Sequence, residues 1–292
     1  MDDSAVVPGS GQLAVTTDSF VVQPLFFPGG DIGRLAVCGT VNDLLMRGAT
    51  PKYLTAGFIL ETGCTTQDLS RIARSMAATA DEAGVTIVAG DTKVVEGSGN
   101  IYINTAGVGF LPTDTHIAAT ALQPGDALLV SGAWATTTQP FSLPAWAWTI
   151  PFDPTAPPWA IWSPPCCKGA LMCTPCGTLP GAAWAPYCAS WQRRQTAHRD
   201  RRNGDPGARG CARLCHILGL ELLHMGNEGK LLAAVPAHQA DRALELLRTS
   251  RYGAEAAVIG TVTNGEGVVA LTPIGGKRRV SVLYGEGLPR IC

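Results

Sequence analysis

Tryptophan is confined to one internal window of this chain, and this confinement limits what the chain can fold into. All seven tryptophans lie within residues 133–210, together with 12 of the 21 prolines and five of the ten cysteines. Proline interrupts every apolar run of the window, and no helical or strand period persists there. Of its three acidic residues, none is glutamate. We therefore treat the window as an anomalous segment between two regular blocks.

The block before the window alternates strands and helices. Segments rich in Val, Ile, Tyr and Phe predict six strands, at Leu13–Val15, Phe20–Val22, Tyr53–Leu60, Val85–Ala89, Ile101–Phe110 and Ala127–Val130. An apolar period over Ile32–Arg47 predicts a helix that ends at Gly48. A second helix is expected to begin at Thr65 or Thr66 and to stop at Gly84.

The block after the window has the same mixed character. Strands are predicted at Lys230–Val235, Ala256–Val262 and Gly267–Leu271, and an amphipathic helix at Ala237–Thr249. A length of 292 residues is typical of two domains of roughly 150 residues each. We therefore expect a two-domain α+β (α/β) chain with domains at 1–122 and 123–277, followed by a flexible tail at 278–292.

Charge and hydropathy exclude several classes of protein. Lys and Arg total 22 against 23 Asp and Glu, so the totals do not favour a nucleic-acid-binding surface. No run of 18 apolar residues predicts a membrane span, and the first 20 residues lack the features of a secretory signal. We expect a cytoplasmic protein, in which the ten cysteines are thiols, ligands or catalytic groups.

Three acidic motifs precede the window, centred on Asp18, Asp43 and Asp91. Asp18 and Asp91 are predicted at the ends of apolar strands and Asp43 inside an apolar helix, where an unpaired carboxylate is costly. Three convergent carboxylates are hard oxygen ligands that suit Mg²⁺ bridged to phosphates, and Lys93 would add positive charge for phosphoryl oxygens. The alternative is that these residues cap turns and helices by hydrogen-bonding the backbone.

Two further candidates lie after the window. Glu228 precedes a strand in Asn-Glu-Gly-Lys and could act as a general base, although the same motif suits an ordinary turn. Cys292 is the last residue of a glycine-containing tail, which when extended reaches at most about 50 Å. The nearby Arg290 would favour its thiolate. Taken alone, the tail favours the reading of Cys292 as an incidental terminal cysteine.

The cysteines of the window resemble a zinc or redox arrangement only in part. Cys166-Cys167 and Cys173-Thr-Pro-Cys176 lack a second regularly spaced pair for a four-cysteine site. The sequence also predicts no strand framework there to hold ligands. A zinc module is therefore the third alternative for this chain.

The motifs taken together, in order, resemble the HypE family of hydrogenase maturation factors, the carbamoyl dehydratases. The matching strings are T-T-D-S-F-V-V, P-L-F-F-P-G-G-D-I-G, G-T-V-N-D-L, G-D-T-K-V-V, N-E-G-K and the terminal P-R-I-C. The resemblance implies the PurM-like fold of aminoimidazole ribonucleotide synthetase. In that fold an N-terminal domain pairs with a second subunit around ATP, and a second α/β domain follows.

The resemblance also implies a reaction. HypF would place a carbamoyl group on the thiol of Cys292, and ATP would phosphorylate the carboxamide oxygen. Loss of phosphate would leave a thiocyanate, whose cyano group would pass to iron held by HypC and HypD for the nickel–iron hydrogenase. Lys93 and Glu228 would handle the carboxamide protons and charge. Mg-ATP would be bound by Asp18, Asn42, Asp43, Asp91 and Thr92.

This chain departs from the family pattern in two places. Family members usually carry a few dozen residues, including a glycine-rich segment, before the T-T-D-S strand, whereas here Met1 begins shortly before it. Residues 133–210 do not resemble the family at all. When residues 133–141 are back-translated with allowed codons and the reading frame is moved forward by two bases, the new frame encodes L-G-D-H-H-A-A-I. The same shift over 172–184 gives a frame that contains R-D-P-T-R-G-G-L. Both strings are family-like and stand in the expected order. We hypothesise a frameshift near residue 133 that is restored near 211–215, which would disrupt the first half of the second domain and weaken or abolish the activity of the chain.

Two other classes of function remain open at this stage. A small-molecule kinase or synthetase of the same superfamily would share the acidic ATP motifs without needing Cys292. A non-catalytic scaffold for HypF or HypC–HypD would bind ATP without turnover. The resemblance favours a homodimer in each case.

Overall fold

A computed structural model describes residues 5–9, 11–27, 30–112, 117, 121–131, 171–173, 187–192, 231–250, 253–265, 267–271 and 276–280. These residues form two compact units, one up to residue 112 and one from residue 117 onward. The predicted domain limits at 1–122 and 123–277 stay predictions. Within the described ranges, no helix is long and apolar enough to cross a membrane.

The N-terminal unit is a five-stranded sheet with two helices against one face. Its elements are β1 (Ala5–Gly9), β2 (Gly11–Phe20), β3 (Phe26–Phe27), β4 (Gly30–Asp31), α1 (Ile32–Met46), β5 (Thr50–Glu61), α2 (Thr66–Ala83), β6 (Thr86–Val95) and β7 (Ile101–Leu111). The strand order is β1-β2-β7-β5-β6, and β3 pairs separately with β4. Only β5 and β6 pair in parallel, because α2 provides the crossover between them.

Capping residues in the local sequence determine where both helices begin and where α2 ends. Thr65 begins α2 by accepting the Asp68 N–H at 3.0 Å, and Gly84 ends it with a left-handed φ of 67°. Asp31 caps α1 by accepting the Arg34 N–H at 3.0 Å. Both predicted helices are therefore confirmed. Because α1 packs along β2 and β7, its apolar residues form the centre of the core, with Ile32, Ala36, Val37, Val41 and Leu44 fully buried.

The C-terminal unit is built on a seven-stranded sheet. Its elements are β8 (Ala127–Val130), β9 (Leu171–Cys173), β10 (Tyr187–Gln192), β11 (Leu232–Val235), α3 (Ala240–Thr249), β12 (Ala257–Asn264), β13 (Gly267–Leu271) and β14 (Lys277–Val280). The strand order is β14-β13-β10-β12-β8-β11-β9. The strands predicted near 127, 230, 256 and 267 are confirmed, and so is the helix over 237–249, whose first turn is a 3₁₀ helix.

The expectation that the tryptophan-rich window supplies no strand is wrong. The backbone of β9 pairs with β11, and that of β10 pairs with β12 and β13. Both strands lie between prolines, at Pro165 and Pro175 and at Pro186 and Pro206. A ladder needs only backbone N–H and C=O groups, so short proline-free stretches join a sheet without a strand-like side-chain pattern.

Candidate functional site

Asp18 and Asp43 lie together where β2 crosses α1. Asp43 accepts a hydrogen bond from the Thr16 hydroxyl at 3.0 Å. Asp18 also lies near the helix, since a Cβ built at Gly39 would lie 3.5 Å from Asp18 Oδ2, an ordinary contact. Thr16 and Asp18 are two residues apart in one strand and so share the helix-facing side. The predicted pairing of these two carboxylates is thus compatible with the fold.

The Asp18 carboxylate is incompletely compensated. Burial raises its pKa above the ordinary value of 3.8, and a hydrogen bond from the Ser19 N–H, at 2.8 Å, opposes that shift. A half-buried carboxylate whose charge is disfavoured by desolvation is stabilised by a nearby cation. This local charge imbalance therefore suits a site for a bound cation.

Asp91 lies on the other side of the sheet. The register pairs Ser19 with Asn104, Asn104 with Gly57, and Gly57 with Asp91, which places these four residues in one row. Side chains directly opposite one another project to the same face. The neighbouring row, which contains Asp18 and Thr105, faces α1, so the row of Asp91 projects to the face without helices.

Asp91 and Lys93 form an exposed ion pair on that face. Lys93 Nζ lies 2.8 Å from Asp91 Oδ2, and the Thr92 N–H donates to Asp91 Oδ1 at 2.8 Å. The Lys93 ammonium, together with the Thr92 N–H, lowers the pKa of Asp91. The carboxylate is therefore ionised and already paired, and β6 continues past it to Val95 rather than ending there.

The three carboxylates consequently do not form one cluster within this chain. Three strand intervals separate β2 from β6 in the sheet, roughly 14 Å at ordinary spacing, and the side chains face opposite ways. Among the residues that the structure describes, no group of three or more His, Cys, Asp or Glu side chains could hold a metal ion. Asn42 is buried at 3% exposure in α1, and its role stays a prediction.

Asn104 is a polar residue of the site that the sequence does not single out. Its side-chain amide donates to the Asp18 carbonyl oxygen at 2.9 Å, to Ser19 Oγ at 2.8 Å and more weakly to Thr17 Oγ1 at 3.4 Å. These bonds fix the end of β2 that carries Asp18. No local pattern could reveal them, because 85 to 87 residues separate the partners.

Glu61 forms a second network on the same face. Its carboxylate accepts bonds from the Tyr102 hydroxyl at 2.8 Å, the Ser98 N–H at 2.8 Å, and the Asn100 N–H and Nδ2 at 3.1 and 2.9 Å. The Tyr102 hydroxyl contributes most to lowering the pKa of Glu61 to about 2. Asn100 in turn accepts a hydrogen bond from Gln23. The network ties the end of β5 to the turn between β6 and β7.

The remaining predicted residues lie outside the described residues. These are Glu228 and Cys292, and also the Cys166, Cys167 and Cys176 thiols of the alternative zinc site. For Cys173 and Cys188 only the backbone is described, in β9 and β10. Their roles stay predictions.

Both blocks of the chain match family models. Residues 1–111 match the N-terminal domain of AIR synthase related proteins, and residues 203–272 match the C-terminal domain. The second match begins at 203, so most of the tryptophan-rich window lies outside both. The PurM-like expectation for the fold is confirmed.

Full-length comparisons are more specific. The chain is 41% identical over 296 residues to the carbamoyl dehydratase HypE of Azotobacter vinelandii, covering 97% of this chain and 85% of the relative. It superimposes on HypE of a HypE–HypF complex with a TM-score of 0.83 and 35% identity, over 96% of this chain and 93% of that one. A HypE structure in complex with ATP gives a TM-score of 0.80 and 34% identity, over 100% and 90% of the two chains. The chain belongs to the HypE family of carbamoyl dehydratases.

Proposed function

We propose that this chain matures nickel–iron hydrogenase by dehydrating an S-carbamoyl group on Cys292 to a thiocyanate at the expense of ATP. The observation that carries the proposal is the 41% identity to HypE over 97% of this chain, and the acidic and basic groups on the two sides of the N-terminal sheet are compatible with it. The HypE relative in complex with ATP supports the choice of nucleotide.

The reaction balances without any redox partner. The carboxamide oxygen attacks the γ-phosphorus, a P–O bond forms, and the bond to ADP breaks. The C–O bond of the phosphorylated intermediate then breaks as the nitrogen loses its protons, which leaves S–C≡N, ADP, inorganic phosphate and one proton. Phosphorylation is needed because an amide oxygen is a poor leaving group, and Lys93 would stabilise the charge of the transferring phosphoryl group.

The Asp18 and Asp43 carboxylates fit a magnesium ion. Mg²⁺ is commonly held by one or two carboxylates plus substrate phosphates, and the raised pKa of Asp18 marks a carboxylate whose charge is disfavoured by burial. When bound, Mg²⁺ would neutralise negative charge on the phosphates of ATP. Thr16 would hold Asp43 in place, and Asn104 would hold the Asp18 backbone.

An exposed apolar surface on the N-terminal sheet supports a homodimer. The face of the N-terminal sheet without helices, here called the open face, exposes Tyr53, Ile59, Val95 and Phe110 at 40–46%. Apolar side chains in such number on one face are typical of a protein interface. Two open faces that meet about a twofold axis would bury these apolar side chains in a homodimer.

HypF would supply the carbamoyl group and HypC–HypD would accept the cyanide, in the cytoplasm. The HypE–HypF structure of the relative supports the first of these partners. The second partner comes from the family resemblance, and the location comes from the absence of a predicted signal or membrane span in the sequence. Hence the HypF step is the one on which the first experiment should be built.

The experiment follows the mass of the C-terminal peptide. After incubation with HypF and a carbamoyl donor, the Cys292 peptide should gain a carbamoyl group, and on addition of Mg-ATP it should lose the mass of one water. Cys64→Ser, a substitution of another free cysteine, is the matched control and should react like wild type. If Cys292→Ser supported equal cyanide-ligand synthesis, the proposal would be wrong.

The frameshift is tested by the gene. We expect two compensating insertions or deletions between codons 130 and 215. Restoring the frame should increase carbamoyl-dependent ATP turnover, because the first half of the second domain would regain its core pattern. An uninterrupted reading frame without such a pair would reject the hypothesis.

A further inference from the structure

Two threonine hydroxyls lie in the core between α1 and the sheet. Thr40 of α1 and Thr105 of β7 are both fully buried, at 0% exposure. The Thr105 hydroxyl donates to the Ala36 carbonyl oxygen of α1 at 3.1 Å. Because a hydroxyl has one hydrogen to donate, Thr40 is the donor and Thr105 Oγ1 the acceptor in the bond between the two threonines. The two hydroxyls thus link α1 to β7 in a fixed order, and we call this pair the threonine bridge.

A glycine of β7 holds the methyl group of Thr40. A Cβ at Gly107 would lie 2.7 Å from Thr40 Cγ2, so this methyl group packs on bare backbone. Gly107 follows Thr105 by two residues and therefore lies on the same face of β7. Thr40 consequently contacts β7 at two points, through its hydroxyl and through its methyl group. Together these contacts fix both the distance between α1 and β7 and the rotation of α1 about its own axis.

The threonine bridge joins the two backbone positions that carry the candidate magnesium ligands. Thr105 lies directly opposite Asp18 in the β2–β7 ladder, and the Cβ atoms of such a pair are about 4.5–5.5 Å apart. Asp43 follows Thr40 by three residues in α1, so these two residues are neighbours on the helix surface. A rotation of α1 against β7 would therefore move Asp43 relative to Asp18.

Packing alone does not require the two hydroxyls. Valine has the shape of threonine without the hydroxyl, and replacing both partners of a buried hydrogen bond by apolar groups of the same shape can be nearly neutral for stability. A hydrogen bond differs from a methyl contact because it has a preferred distance and a preferred angle. The threonine bridge therefore adds a defined orientation between α1 and β7. Such an orientation matters for a metal site, whose ligands must be held close to their productive geometry.

We propose that the threonine bridge is a positioning device for the magnesium site, in which Thr40 and Thr105 hold α1 at the rotation that brings Asp43 toward Asp18. This inference rests on the proposed function and deepens it. Mg²⁺ demands near-ideal octahedral geometry, so a displaced carboxylate weakens its binding. Thr40 and Thr105 are positioning residues in this role, since they act through the two carboxylates. Removing a partner that orients a metal ligand typically lowers metal affinity by about 10- to 100-fold.

The test measures ATP binding to the full-length chain by calorimetry, once with Mg²⁺ and once with EDTA. Thr105→Val should lower the affinity for Mg-ATP by about tenfold and leave the affinity in EDTA within about twofold of the parent value. Thr105→Ser keeps the hydroxyl and should restore the Mg-ATP affinity. If Thr105→Val fails to fold because the Thr40 hydroxyl loses its acceptor, the double variant Thr40→Val/Thr105→Val removes that hydroxyl as well and replaces it in the test.

Thr79→Val is the matched control. Thr79 is also buried, at 1% exposure, and its hydroxyl donates to the Ser75 carbonyl oxygen of its own helix α2 at 2.8 Å. This variant removes a buried threonine hydroxyl far along the chain from either carboxylate, so the urea midpoint can change while the Mg-ATP affinity should not. In an Asp43→Asn background, Thr105→Val should cause little further loss of Mg-ATP affinity, because its effect passes through that carboxylate.

The contrary results contradict different statements. A Mg-ATP affinity within about twofold of the parent value in both Thr105→Val and the double variant would overturn the inference. An equal fall with Mg²⁺ and with EDTA, or an equal fall in Thr79→Val, would assign the hydroxyls a merely structural role. An undiminished effect of Thr105→Val in the Asp43→Asn background would show that it does not act through Asp43. A parent chain that binds ATP equally with and without Mg²⁺ would instead contradict the magnesium site of the proposed function, on which the inference rests.

Discussion

Gly39→Ala provides a direct test of how α1 and β2 together position Asp18. A Cβ at Gly39 would lie 2.7 Å from Cζ and 2.9 Å from Cε1 of Phe20, whereas carbon atoms pack favourably at about 3.5–4.0 Å. The ring must therefore move by roughly 0.7 Å or more to reach even a tight contact. Phe20 is 1% exposed, so the movement displaces other core atoms or the strand itself.

The expected cost follows from two opposing effects. Overpacking a well-packed core typically costs about 1–3 kcal/mol, and the complete burial of Phe20 favours the upper part of that range. Alanine gains about 1 kcal/mol over glycine inside a helix. The net loss in the free energy of unfolding should therefore be about 1–2 kcal/mol, a change of roughly 5- to 30-fold in the folded-to-unfolded ratio.

Urea denaturation followed by far-UV circular dichroism measures this loss, with Gly57→Ala as a control that makes the same substitution without a clash. Phe20→Leu should relieve the overlap, so the double variant Gly39→Ala/Phe20→Leu should be less destabilised than the sum of the single variants. Mg-ATP affinity should also fall, since Asp18 lies two residues before Phe20. Strict additivity, or an unchanged urea midpoint in Gly39→Ala, would refute the packing argument.

Two further predictions concern carboxylates. Because the pKa of Glu61 is lowered to about 2 in the folded chain, its contribution to stability is complete above the ordinary value of 4.5 and disappears as the pH falls through about 2. Glu61→Gln should lower the urea midpoint at pH 7 and should make the midpoint change less as the pH is lowered. A pH profile of the midpoint equal to that of the parent chain would contradict this. The raised pKa of Asp18 has the opposite effect on stability. Because burial disfavours the charged form of Asp18, the stability of the folded chain falls as the pH rises from the ordinary pKa of 3.8 to the higher folded-state pKa. Asp18→Asn should therefore raise the melting temperature at neutral pH while weakening Mg-ATP binding, and equal binding by calorimetry would count against the proposed magnesium site.

Local sequence was sufficient for the helices and for most strands. Thr65 and Gly84 define both ends of α2 through contacts within a few residues, and the alternation of β2 and β7 follows from their own side chains. By contrast, β9 and β10 have no such signal. They join the sheet because β11, β12 and β13 offer backbone partners, which no property of the window itself reveals.

The residue types of the proposed site could also be predicted from sequence, as carboxylates in β2 and α1 and a carboxylate next to a lysine in β6. Their grouping could not. A shift of one residue in strand register moves a side chain to the other face, and the β5–β6 pairing contains such an irregularity between Leu54 and Thr55.

The sequence alone thus determined the helix ends, the alternating strands and the chemical kinds of group available, because these depend on neighbours a few positions apart. Only the tertiary structure decided that Asp18 and Asp43 share one face and that Asp91 and Lys93 occupy the other. The reason is physical: these relations depend on strand order and register, which are fixed by hydrogen bonds between segments tens of residues apart.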